Sequence, residues 1–106
     1  MNLILAVTGA SGAYAADVLL QKSSWDVTLV ASRWGKDVYR RECGSFEELA
    51  SRAQRVLDNN DMSAPIASGS VETVGMVVLP CSADTLGKIA NGIADSLITR
   101  AAHCHL

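Results

Sequence analysis

Two short stretches, TGASGA at residues 8–13 and PCSADTL at 80–86, place glycines and small hydroxyl residues where an apolar run gives way to helix-forming sequence. A strand end feeding a helix start leaves backbone N–H groups unpaired, and the helix dipole there favours negative charge. Ser82 and Thr85 stand three apart, on one face of a first helical turn, so both hydroxyls and the turn's amides can donate to phosphate oxygens. Two such loops predict one phosphorylated ligand held between neighbouring strands. The first loop is no dinucleotide fingerprint, because Tyr14 occupies the place of the third glycine. The second apolar run ends in Ala31, Ser32 and Arg33 rather than in the acidic residue that holds a ribose. A hydroxyl beside a cation suits a phosphate. Read for structure alone, Ser11 and Ser82 are helix N-caps.

Other chemistry-bearing residues are scattered. Glu42 sits among Arg40, Arg41 and Cys43, where a carboxylate near the strand ends could shuttle protons or simply be solvated. Cys81 immediately precedes a helix cap, a place that favours a thiolate, although a small packed residue is the commoner use of a cysteine there. His103, Cys104 and His105 are consecutive, which matches no metal-ligand spacing, so no metal is expected.

The elements that must position these residues follow from periodicity. Residues 3–7, 27–31 and 76–79 are continuous apolar runs, the mark of strands buried on both faces of a parallel sheet. Helices are predicted over 13–21, with Ala16, Leu19 and Leu20 facing the sheet, and over 34–41, 82–90 and 93–102. Ser45 and Glu48 read as a capping box ahead of an amphipathic helix whose apolar face is Phe46, Leu49, Ala50, Ala53, Val56 and Leu57. Residues 58–61 stop that helix, and 62–73 form a loop. Strand, helix, strand within the first third of the chain is a βαβ unit.

With 106 residues the chain reads as a single domain, 49% apolar, with a net charge of -2 and 5% aromatic residues. That balance excludes a basic nucleic-acid surface and base-stacking platforms. No apolar run is long enough to span a bilayer, and the N-terminus lacks the basic flank of a signal peptide. Three unpaired cysteines fit reduced thiols in the cytoplasm.

The order and spacing of TGASGA, Ser32, ASGS at 67–70, GMVVLPCSADTL at 75–86 and LITRAA at 97–102 resemble the UbiX-type flavin prenyltransferases, a family that includes enzymes once called aromatic acid decarboxylases. The resemblance implies a flavodoxin-like, Rossmann-like α/β fold, a parallel sheet with helices on both faces. It also implies a homotrimer or a dodecamer. The implied reaction moves a dimethylallyl group from dimethylallyl phosphate to reduced FMN, making the prenylated cofactor of UbiD-type decarboxylases. By the same resemblance, Gly9, Ala10, Ser11, Ser32, Ser82, Ala83, Asp84, Thr85 and Arg100 would hold FMN. Ser11 and Glu42 would act near the reacting ring, and Ser68 and Gly69 would bind the prenyl phosphate. Family segments carrying an Arg-Glu pair and a distal tyrosine and arginine have no counterpart in this sequence, so it reads as the N-terminal portion of the family domain. A non-catalytic FMN-binding module and an FMN-dependent decarboxylase are the alternatives.

Overall fold

In the computed structural model, which describes residues 1–69 and 71–106, four strands form one parallel sheet in the order β3-β2-β1-β4. These are β1 (Asn2–Val7), β2 (Asp26–Ala31), β3 (Arg55–Asp58) and β4 (Gly75–Val78). The helices are α1 (Tyr14–Lys22), α2 (Arg33–Glu42), α3 (Phe46–Ser51), α4 (Ala83–Ala90) and α5 (Leu97–His105). The central strand is the most apolar. Residues 3–7 of β1 are all buried, because helices cover both faces of the sheet.

Strand alternation divides the core in two. Leu5, Val7, Leu29 and Ala31 pack with Ala16 of α1, Tyr39 of α2, and Phe46 and Leu49 of α3. Ile4, Ala6 and Val30 point the other way, onto Leu97, Ile98 and Ala101 of α5 and onto Ile66 in a short 3-10 turn at Pro65–Ala67. This is the three-layer α/β arrangement the sequence predicts. Leu19 and Leu20 pack against the first core as partly buried residues.

The segment 46–57 corrects the expectation. Its helix stops at Ser51, and residues 55–58 become an edge strand paired in parallel with β2, from Thr28↔Arg55 to Ala31↔Asp58. The apolar spacing suits a helix for its whole length, but extending the helix would leave the outer edge of β2 without partners for its backbone. Val56 is therefore largely exposed instead of contributing to a helix face. Only half of the capping box forms: the Glu48 amide donates to Ser45 Oγ, while the Ser45 hydroxyl leans toward Glu47. The last helix begins later than predicted, at Leu97, after a reciprocal box between Ser96 and Thr99. Ser70 of the ASGS stretch lies outside the described residues. Among the described residues no helix is long and apolar enough to cross a membrane.

Candidate functional site

The carboxyl ends of β2, β1 and β4 lie side by side, so the segments after them, residues 32–35, 8–13 and 79–85, meet at one end of the sheet. Their spacing is tight. A Cβ on Gly9 would come within 2.6 Å of Trp34 Cβ, and a Cβ on Gly35 within 2.2 Å of the Val7 carbonyl oxygen. Glycine is required at both places because backbone or the base of a side chain occupies the space. Ser32 caps α2, its Oγ accepting from the Gly35 amide at 2.9 Å.

The third segment is a capped helix start. Ser82 is the N-cap of α4, and its Oγ accepts from the Thr85 amide at 3.1 Å and donates to Thr85 Oγ1 at 2.8 Å. That leaves the Thr85 hydroxyl proton, together with the amides of Ala83 and Asp84, to face an anion. The Asp84 carboxylate is the one negative group on this turn, and Lys88 Nζ stands 3.4 Å from it. Hydrogen bonds to Asp95 and Asp84 hold the Lys88 ammonium above its usual pKa, so it stays charged and offsets Asp84.

Glu42 does something the sequence does not reveal. From the end of α2 its Oε1 accepts from the amides of both Gly12 and Ala13, each at 3.1 Å. A carboxylate thirty residues away thus caps α1, whose own N-cap residue, Ala13, contributes no side-chain bond. Ser11 is exposed just ahead of this cap and is not itself the N-cap. Glu42 also lines a cleft of about 540 Å³ with Tyr14, Asp17, Tyr39, Cys43 and Arg52, in which Asp17 and Arg52 form an ion pair. Burial, followed by the charge of Asp17, raises the Tyr39 hydroxyl pKa.

The other predicted residues fall elsewhere. Arg100 is exposed on α5 and has no ion-pair partner among the described residues. The start of α5 is held at the carboxyl end of β3, where Asn59 accepts from the Leu97 amide through its carbonyl and from the Ile98 amide through Oδ1, both at 2.9 Å. Gly69 lies against Cys104, in the last turn of α5 and about 10 Å farther along the helix. Thr73, just ahead of β4, meets His105 in the same turn. Ser68 and Gly69 are therefore not brought to the Ser82–Thr85 turn within one copy of the chain. Asn59, read from sequence as turn chemistry alone, is the residue that fixes this direction of α5.

His103, Cys104 and His105 diverge, contacting Ile93, Ala67 and Ala101 respectively. Among the described residues no group of three His, Cys, Asp or Glu side chains could hold a metal. Cys81 and Cys43 are exposed, yet partial desolvation raises both thiols, and the neighbouring Glu42 charge raises Cys43 further. A raised thiol holds less thiolate at a given pH. Iodoacetamide alkylation of either cysteine, followed by peptide mass spectrometry, should therefore reach half its maximal rate above about pH 8.5, the midpoint of an ordinary thiol. A plateau at lower pH would show activated thiols.

A family model described as Flavoprotein matches residues 1–106. The flavin prenyltransferase UbiX of Deinococcus radiodurans is 45% identical over 99% of this chain and 56% of its own length. That of Thermoplasma acidophilum is 42% identical over 96% and 58%. The crystal structure of AnUbiX (PadA1) in complex with FMN and dimethylallyl pyrophosphate superposes with a TM-score of 0.90 at 34% identity, covering 97% of this chain and 57% of that one. A dodecameric FMN-dependent UbiX-like decarboxylase from Escherichia coli O157:H7 gives a TM-score of 0.92 at 38% identity, covering 98% and 60%. The chain thus spans a little over half the length of the curated relatives it matches. Matched along its whole length, with glycine-tight loops and a capped Ser82–Thr85 turn at adjoining strand ends, the chain belongs to the flavoprotein family.

Proposed function

We propose that this chain is the FMN-binding part of a cytoplasmic UbiX-type flavin prenyltransferase, which moves a dimethylallyl group from dimethylallyl phosphate to reduced FMN for use by a UbiD-type decarboxylase. The observation that carries the reading is the convergence of residues 8–13, Ser32 and the Ser82–Thr85 turn at the ends of three adjacent parallel strands. The residues fit the cofactor's phosphate. Two amides and one hydroxyl proton at a helix start have no acceptor among the described residues, and Lys88, shared with Asp95, partly offsets the Asp84 carboxylate. AnUbiX, crystallised with FMN and an allylic pyrophosphate, shares the fold and 34% of the residues. Three free, exposed cysteines are in keeping with a reducing compartment.

Each residue then has a task. Gly9 and Ala10 let the ligand approach the backbone, Ser32 borders it beside β2, and Ala83, Asp84 and Thr85 hold its phosphate. Bound reduced FMN would supply the N5 and C6 positions that the prenyl group joins. Glu42 spends Oε1 on the α1 cap, and its Oε2, which accepts no hydrogen bond among the described residues, is the atom suited to hold a proton. Ser11 stands next to that cap and would orient the reacting edge. Arg100 adds a cation on α5. Ser68 and Gly69 lie at the far end of α5, so their part in prenyl phosphate binding would come from a neighbouring copy. A homo-oligomer, such as the E. coli relative's dodecamer, makes that possible.

Titration with FMN and with riboflavin, followed by flavin fluorescence, tests the reading. FMN should bind at least about tenfold more tightly, since only FMN offers the phosphate. Reduced FMN with dimethylallyl phosphate should then yield a flavin heavier by one prenyl unit. FMN binding with no mass gain leaves a binding module, and equal affinity for the two flavins overturns the phosphate site. Ser82→Ala removes the acceptor that orients Thr85 and should weaken FMN about fivefold, near 1 kcal/mol, while sparing riboflavin.

A further inference from the structure

We infer that Thr8 is the positioning residue that sets the phosphate turn in place, and that the Ser82 amide is not among the phosphate's ligands. The inference rests on the FMN reading above. Thr8 is 1% exposed at the very end of the central strand. Its Oγ1 donates to the Pro80 carbonyl at 2.7 Å and accepts from the Ser82 amide at 2.7 Å, and its own amide donates to the same Pro80 carbonyl at 3.2 Å. A hydroxyl has one proton, and a backbone amide has one hydrogen. Both are consumed between Thr8 and the residues either side of Cys81, so neither is left for a ligand. The amides that read the phosphate therefore begin at Ala83, and their direction is inherited from the register in which Thr8 holds the start of α4 against β1. Ser11, Ser32 and Thr85 can meet a ligand directly, whereas Thr8 acts only through Ser82.

A valine at position 8 has nearly the same shape but neither donates nor accepts. Thr8→Val leaves the Ser82 amide without its acceptor and frees the helix start to shift. Thr8→Ser keeps the hydroxyl and gives up only a methyl group. Thr8→Val should lower the ratio of FMN to riboflavin affinity about tenfold, and Thr8→Ser should keep it within about twofold of the parent. A purely structural role would lower the melting temperature of Thr8→Val yet leave that ratio unchanged at a temperature where the variant is folded, and this result overturns the inference. Amide NMR of the parent protein decides the matter even if Thr8→Val does not fold. On adding FMN, the Ala83 and Asp84 amide resonances should move most while Ser82 stays protected from exchange. A dominant shift at Ser82 would place it on the phosphate and overturn the inference. If the parent chain shows no preference for FMN over riboflavin, the FMN reading itself has failed, a result distinct from either.

Discussion

On the proposed function, Glu42→Gln should abolish most prenyl transfer while leaving FMN bound and the fold intact. The amide oxygen of glutamine can take the place of Oε1 and accept from Gly12 and Ala13, so the cap on α1 survives. What disappears is the titratable oxygen. Loss of a positioned acid or base lowers a rate by about 100- to 10,000-fold, and the measurement is the turnover of reduced FMN with dimethylallyl phosphate, read by mass. Glu42→Ala removes the cap and the proposed proton carrier together, so it should also lower stability by about 1 kcal/mol. Full activity in Glu42→Gln would reduce Glu42 to a helix cap. Equal stability of the two variants would show that the cap carries no weight.

The second large effect concerns Gly35. Alanine is normally the better helix residue, by up to about 1 kcal/mol, and Gly35 lies inside α2 with an ordinary helical backbone. On propensity alone, Gly35→Ala would stabilise. Space decides the opposite. The new methyl would lie 2.2 Å from the Val7 carbonyl oxygen and 3.1 Å from Ser32 Oγ, and the first of these neighbours is main chain of the central strand. Overpacking of this kind destabilises by about 1–3 kcal/mol or more. The net expectation is a loss near 2 kcal/mol, or a fall of roughly 10 °C in melting temperature for a domain of this size. Because α2 would be pushed away from β1, FMN affinity should fall with it. Calorimetry showing an unchanged or raised melting temperature would mean that α2 can shift without loss.

Local signals in the sequence predicted most of this structure, and nonlocal ones did not. Residues 3–7 and 27–31 read as strands because uninterrupted apolar runs have few other uses, and Ser82 read as a cap because its partner is three residues away. The segment 46–57 misled because its apolar spacing fits a helix all the way. Only the open edge of β2, far off in sequence, turns Arg55–Asp58 into a strand. The same limit hid the capping of α1 by Glu42 and the double bond of Asn59 to the start of α5. It also hid the distance of Ser68 and Gly69 from the Ser82–Thr85 turn, which follows from the direction in which α5 runs.

The central strand of the sheet is also made before both of the strands it pairs with. Leu3 pairs with Val27 on one side, within reach early, and with Gly75 on the other, much later. At a synthesis rate of roughly 5–20 residues per second, several seconds separate the two pairings on the ribosome. Through that interval the nascent β1 keeps one edge bare and one apolar face without α5 to cover it. Flavin can offer no rescue then, since the turn proposed to grip its phosphate does not yet exist. Chaperone occupancy during synthesis should accordingly peak before residue 75 emerges and fall once α4 and α5 have followed.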